Sequence, residues 1–225
     1  MINLIFDYYK FIRISFMNKQ NKFSYIYKSK YWRGAEGGSL SGGCSNEVST
    51  NIFIGELTSF IKNQNIRNIL DIPCGDFYWM KELDFKELNY LGADIVPELI
   101  QKNKEKFSNY NINFTILDLT SDQLPCADLI FCRDCLVHLS NRDIFKSLNN
   151  IRKSKLKFFI TTNFISRKFN KDIATGSWRT INLLMPPFNF PEPIENIDEK
   201  CSESNKIYTD KVLSIWETKS IPFFK

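Results

Sequence analysis

A chain of 225 residues with 43% hydrophobic content can bury a full core and fits one elaborated domain better than two independent ones. That composition excludes intrinsic disorder. A net charge of +5, carried by scattered lysines, provides no basic stripe of the kind a nucleic-acid surface needs.

In chain order, Met1 to Phe16 is apolar and aromatic but broken by Asp7, Lys10 and Arg13. It lacks a basic start and a small-residue cleavage site, so it reads as an amphipathic helix docked on the domain rather than a signal peptide. Contact of residues 1–33 with a membrane surface is the alternative. Lys28, Lys30 and Arg33, interleaved with Tyr25, Tyr27, Tyr31 and Trp32, are the one basic-aromatic patch. No apolar run reaches the roughly 18 residues of a membrane span. Six cysteines without a signal peptide point to reduced thiols and a cytoplasmic protein.

Tyr31 to Thr50 turns Gly- and Ser-rich after its aromatics, the composition of a loop that either links or closes over a ligand. Residues 1–45 are thus expected to form an N-terminal cap and 46–225 the main domain. Val48, Ile52, Phe53, Leu57, Phe60 and Ile61 recur at helical spacing, with Ser45 as a candidate cap.

Ile69, Leu70 and Ile72 form a short apolar run suited to a buried parallel strand. Asp71 ends it, and Pro73 and Gly75 break the extended path before Phe77 to Leu83 resumes with helical spacing. Strand, glycine turn and helix start together make a site for a nucleotide-like ligand, because glycine admits the ligand to the backbone and a helix start offers free N–H groups. Leu70-Asp71-Ile72-Pro73-Cys74-Gly75-Asp76 resembles motif I, Asp/Glu-x-Gly-x-Gly, of the class I S-adenosylmethionine-dependent methyltransferases. The form Asp-x-Pro-Cys-Gly-Asp-Phe, with Trp79-Met80 close behind, is similar to a branch of mostly uncharacterised bacterial and phage members. Pro73 replaces the first glycine of the general motif, and Phe77 stands in the place of a third. In the loop before it, Trp32, Ser39, Ser41, Gly42 and Ser45 resemble that branch's Trp and Glu-Ser-x-Ser-Gly-x-Gly-Ser run, with Gly38 and Cys44 departing from it.

Asn89 to Asp94 reads as the next strand, and Asp94 lies 23 residues after Asp71. In a βαβ unit that distance sets a carboxylate at the neighbouring strand tip, where it accepts both ribose hydroxyls; a helix N-cap is the rival reading. Pro97 suits a first helical turn, with Leu99, Ile100 and Phe107 facing inward. Ile112 to Leu117 alternates toward a third strand ended by Asp118. The resemblance implies that Asp118 bonds the adenine amino group and that Leu119 flanks the ring, a loop aspartate being the alternative.

Ala127 to Cys132 is the fourth strand and runs into Arg133-Asp134-Cys135-Leu136-Val137-His138. Strands one and four flank the switch point of such a sheet, so the reactive end of the donor is expected near Asp134 and His138. His138, the only histidine, is a candidate general base or acceptor-orienting group, against a buried structural histidine. Arg133 and Asp134 either hold each other, or Asp134 binds the acceptor hydroxyl; a hydroxyl acceptor must also lose a proton, which makes His138 and Asp134 the two catalytic candidates. Cys132 and Cys135 have Cys-x-x-Cys spacing, but no second pair accompanies them, so no metal is expected. Asn141 to Lys153 reads as a helix and Leu156 to Thr162 as the fifth strand. Residues 163–191 have little periodicity and stand where class I methyltransferases build an acceptor pocket. Asn170, Asp172, Ile173, Gly176, Trp178, Arg179, Asn182 and Leu183 resemble the branch pattern there, which makes Trp178 an apolar wall and Arg179 and Asn182 polar anchors. Met185-Pro186-Pro187-Phe188 looks like an amino-methylating motif, but Met185 is a poor acceptor and the run follows strand five, so it is set aside. Glu192 to Glu199 and Lys211 to Thr218 read as terminal antiparallel strands.

The expectation is an α/β, Rossmann-like class I methyltransferase sheet of order 3-2-1-4-5-7-6 with helices on both faces, the resemblance covering roughly residues 31–218. It implies S-adenosyl-L-methionine as cofactor, held by Asp71, Pro73, Cys74, Gly75, Asp76, Asp94, Ile95, Asp118, Leu119 and Arg133. The expected reaction is O-methylation of a sugar hydroxyl on a small-molecule or glycan acceptor. Methylation of RNA or protein, and a catalytically silent binding module, are the alternatives. A Rossmann dehydrogenase fits less well, because its turn favours three glycines.

Overall fold

The computed structural model describes residues 17–29, 47–154, 156–200 and 208–224, and only the backbone of residues 47–52. The expected first helix (1–16), the Gly/Ser loop with Cys44 and the Ser45 cap, and the loop with Cys201 lie outside these residues. Helices α1 (Lys19–Lys28) and α2 (Glu47–Asn63) precede the sheet. Strands β1 (Asn68–Asp71) and β2 (Asn89–Asp94) are followed by α3 (Pro97–Phe107) and β3 (Ile112–Ile116). Then come β4 (Leu129–Cys132), α4 (Asn141–Lys153), β5 (Phe158–Phe164), β6 (Glu195–Asp198) and β7 (Lys211–Glu217). The seven strands form one sheet in the order β3-β2-β1-β4-β5-β7-β6, as expected. β1 to β5 run parallel, and β7 is antiparallel to β5 and β6.

Alternate residues of each strand serve opposite faces, so the strands read as continuous apolar runs. Ile69, Leu129, Phe131, Phe158, Ile160, Leu213 and Ile215 meet Phe53, Leu57, Phe60 and Ile61 of α2 on one face. Leu70, Ile130, Phe159 and Trp216 meet Ile144, Leu148 and Ile151 of α4 on the other. Each such buried side chain contributes about 1.5–3 kcal/mol relative to exposure. α4 is capped by Ser140, whose Oγ accepts from Asp143 N at 3.2 Å. In α3, Pro97 stands in the first turn, and Leu99 and Ile100 are buried.

The expected helix over Phe77–Leu83 does not form; a short 3-10 turn at Met80–Glu82 replaces it. Gly75 and Phe77 both sit in the left-handed region, at φ 55° and 57°. Glycine does so without strain, but a bulky side chain does not. Phe77 is held there by its ring, which is 5.1–5.9 Å from the rings of Phe85, Tyr90, Phe107 and Phe114. Tertiary aromatic packing overrides the helical spacing, and the free N–H groups of a helix start are not what the segment after β1 offers here.

Gly92, in β2, has Phe114 across the strand pair: a Cβ at Gly92 would lie 2.6 Å from Phe114 Cδ1 and 3.0 Å from Tyr90 Cε1. Gly92→Ala should therefore destabilise the chain by about 1–3 kcal/mol, the usual penalty of overpacking. Urea unfolding checks this, and an unchanged midpoint would contradict the packing described.

Candidate active site

The carboxyl ends of β1, β2 and β4, with the segment after β3, enclose one cleft of roughly 1140 Å³ including its open mouth. Asp71, Asp94 and Asp118 all line it, with Pro73, Cys74, Gly75, Asp76, Ile95, Leu119, Arg133, Asp134 and His138. Twelve of the fifteen residues singled out from sequence are thus gathered around a single cavity.

The acidic tips differ in their surroundings. Asp94 is buried, accepts Val96 N at 3.0 Å, and receives the backbone N–H groups of Gly75 and Ile95 as well. Burial raises its pKa to about 6 against those hydrogen bonds. Asp71 is also buried and accepts the Tyr90 hydroxyl at 2.6 Å. Burial, opposed by that bond and aided by the Asp94 charge, pushes it to about 8. Two neighbouring carboxylates whose charged forms are disfavoured suit a cationic ligand, which would relieve that cost. Asp118 is different. Its Oδ1 accepts Thr120 N at 2.9 Å and Thr120 Oγ1 at 2.8 Å, and its Oδ2 pairs with Lys19 Nζ at 2.8 Å. Burial works to raise it, but these partners hold its pKa below the ordinary value.

The Gly75 turn is fixed from α3. Asn103, buried, donates to Gly75 O at 2.7 Å. On the opposite wall, Arg133 stacks on Phe53 and Trp79, with its guanidinium carbon 5.1 and 5.3 Å from the ring centroids. It pairs with Glu199 through Nε and Nη2 at 2.8 and 2.6 Å, while Asp134 is 4.0 Å away. Asp134 itself, at φ 52°, is held by Lys211 Nζ at 2.9 Å and Thr162 Oγ1 at 3.3 Å. Burial raises its pKa, but the Lys211 and Arg133 charges outweigh it and bring the carboxyl to about 2. An aspartate so acidic stays ionised near neutral pH.

His138 closes the short 3-10 turn Leu136–His138 that follows β4. Its Nδ1 is 2.9 Å from Ser177 O. A carbonyl can only accept, so Nδ1 carries the proton and the ring lone pair lies on Nε2. Burial lowers its pKa to about 4 despite the Ser177 bond and the Asp134 charge, so the ring is neutral near pH 7.

The remaining three sequence candidates are elsewhere. Trp178 is 44% exposed and packs edge-on against Tyr208 and Phe164. Arg179 is buried and donates to Leu136 O at 2.8 Å and Lys171 O at 3.1 Å. Asn182 is buried and donates to Ile165 O and Arg167 O at 3.2 and 2.8 Å. None lines the cleft. Their polar groups donate to backbone carbonyls, Leu136 and Lys171 for Arg179 and Ile165 and Arg167 for Asn182, rather than into the cleft. Conversely, Lys19, Phe23 and Tyr27 of α1 line the cleft and were not singled out as site residues. Their spacing of four places them on one helical face. Cys135 lines the cleft, and Cys132 is buried at the end of β4. No group of three or more metal-binding side chains occurs among the described residues. No helix among them is long and apolar enough to cross a membrane.

Residues 69–154 match the family described as "Methyltransferase domain". A search of curated proteins finds no match to the sequence. Among solved structures, human N-acetylserotonin methyltransferase in complex with SAM superposes with a TM-score of 0.52 at 13% identity, over 89% of this chain and 60% of that one. PigF with SAH gives a TM-score of 0.52 at 15% identity, over 74% of this chain and 54% of that one. The chain therefore spans a little over half the length of these structures, and at such identities the likeness is one of fold.

Proposed function

We propose that this chain, a class I S-adenosylmethionine-dependent methyltransferase in its fold and in the domain family it matches, methylates a hydroxyl group of a small-molecule or glycan acceptor, most simply a sugar hydroxyl. The observation that carries the reading is the pairing, in one cleft, of buried acidic strand tips with a neutral histidine at the other end. The residues present fit the donor. Asp71 and Asp94 are carboxylates that a cationic ligand stabilises, Asp94 is suited to accept ribose hydroxyls, and Asp118 with Leu119 forms the base-binding edge. When bound, S-adenosylmethionine supplies a methyl group on a positively charged sulfur, an electrophile that needs alignment more than activation.

The chain's own contribution follows from its protonation states. His138 holds its Nδ1 proton on Ser177 O, so Nε2 is the acceptor. As the acceptor oxygen bonds to the methyl carbon it becomes oxonium-like, and its proton becomes far more acidic than an imidazolium. A histidine with a pKa near 4 is therefore basic enough to take that proton, although it could not make an alkoxide beforehand. Asp134, ionised and fixed by Lys211, steadies the charge on the ring and is positioned toward the acceptor. The modest net charge of +5, without a basic stripe, supports a small or glycan acceptor over a nucleic acid.

The test is transfer of label from methyl-labelled S-adenosylmethionine to a panel of sugars, nucleotide sugars and oligosaccharides, with RNA and protein as comparison acceptors. Label in an alkali- and acid-stable ether is the expected result. Label confined to RNA or protein would replace the acceptor assignment, and no binding of the donor by calorimetry would overturn the reading as a whole.

A further inference from the structure

α1 is joined to both ends of the cleft. On the donor side, Lys19 pairs with Asp118 at 2.8 Å, Lys28 lies 3.5 Å from Glu98 of α3, and Lys102 of α3 sits 5.5 Å from the Tyr27 ring centre. On the other side, Lys22 and Ile26 press on Gly176, where a Cβ would be 3.0 Å from Lys22 Cδ and 3.3 Å from Ile26 Cδ1. Gly176 N in turn donates to His138 O at 2.8 Å. Between these two anchorages, Lys19, Phe23 and Tyr27 face the cavity shared by Asp94 and Asp118.

We propose that α1 is the outer wall of the adenosine subsite: Phe23 and Tyr27 cover the base and sugar of the bound donor, Lys19 holds the Asp118 carboxylate for the base edge, and the helix lifts and reseats with each donor exchange. The inference rests on the reading of the cleft as a donor site and adds three binding residues to it. The chemistry is suitable, since aromatic rings stack on a purine whatever its substituents. A lysine shared between a carboxylate and a threonine hydroxyl fixes the acceptor atoms for an exocyclic amine. Beyond those anchorages, α1 is short and not all of its ties are strong. A ten-residue helix is marginal by itself, and its Lys28–Glu98 pair is exposed, at 65% and 42% of the side-chain surface, where ion pairs contribute little. Such an element can open without unfolding the sheet beneath it.

Two measurements on the full chain test this, with S-adenosylhomocysteine as the probe. Saturating probe should slow tryptic cleavage after Lys19, Lys22 and Lys28 at least several-fold relative to sites elsewhere, read by mass spectrometry. Phe23→Ala and Tyr27→Ala should each raise the dissociation constant of the probe roughly tenfold, the scale of one lost stacking contact on a base; Phe23 also packs on the core, so its variant loses some thermal stability, while Tyr27→Ala should leave the melting temperature of the ligand-free chain little moved. Tight binding by the wild type, with α1 cleavage unprotected and both variants within twofold of it, would overturn this proposal and leave the donor site standing. No binding by the wild type would overturn both together.

Discussion

Asp94→Ala should weaken binding of S-adenosylmethionine by about two to four orders of magnitude. A carboxylate that accepts two hydroxyl hydrogen bonds in a buried site loses about 1.5–3 kcal/mol for each on removal. The loss is specific, because Asp94 lies at the tip of β2, with Ile95 and Val96 donating from the turn that follows it and Gly75 from the turn after β1, and alanine leaves the strand register intact. The pH dependence sharpens the expectation. Burial raises Asp94 to about 6, so the protonated form, which cannot accept from both hydroxyls, accumulates as the pH falls through that value. Wild-type affinity should therefore rise from pH 5 to pH 7. Asp71, raised to about 8 by burial, extends the rise toward pH 8, because a cationic ligand favours its ionised form. Binding near pH 7 should thus release protons, which calorimetry in buffers of different ionisation enthalpy reports directly. Asp94→Asn, of the same shape but unable to ionise, should bind weakly and lose the part of the slope between pH 5 and 7. Undiminished affinity in either variant would remove Asp94 from the donor site.

The sheet and its acidic edge were legible because each parallel strand is a short apolar run that stops at a polar residue. Asp71, Asp94 and Asp118 mark three such stops, and a parallel sheet brings successive stops to one edge whatever lies between them. What local patterning cannot register is a competing tertiary demand. Phe77 to Leu83 has helical spacing, yet Phe77 is drawn into a ring of four aromatics, from the loop before β2, β2, α3 and β3, and the backbone takes a left-handed turn to allow it. The irregular residues after β5 are ambiguous in another way. Polar side chains in a segment without regular structure are as readily consumed by its own carbonyls as by a ligand, and Arg179 and Asn182 are consumed so. Glu199 and Lys211, which govern the charge on Arg133 and Asp134, are more than sixty positions distant in the chain from the groups they hold, and no motif announces them. For α1 a signal did exist: Lys19, Phe23 and Tyr27 recur every four residues. It was hidden by the basic-aromatic character of the segment, which reads equally as a surface.

Replacing His138 should separate chemistry from binding. His138→Asn puts an amide N–H where Nδ1 now donates to Ser177 O, so the loop carrying Gly176 and Ser177 keeps its attachment while the proton acceptor is lost. Turnover should fall about 10²–10⁴-fold, the usual contribution of a positioned base, with donor affinity within a factor of about two. His138→Ala should do the same and, by freeing the loop, lower thermal stability as well. The pH profile then assigns the group. With a pKa near 4, His138 is in its basic form throughout the neutral range, so its contribution to kcat/KM is flat from about pH 6 upward and is lost as the pH falls toward 4. After burial, the Lys211 and Arg179 charges help depress that value, while Asp134 works to raise it. Lys211→Met removes one depressing charge and releases Asp134 from its nearest partner, so the acid limb should move toward neutral pH. A variant of Lys211 with an unmoved acid limb, or a His138→Asn enzyme that turns over at the wild-type rate, would show that the proton leaves by another route.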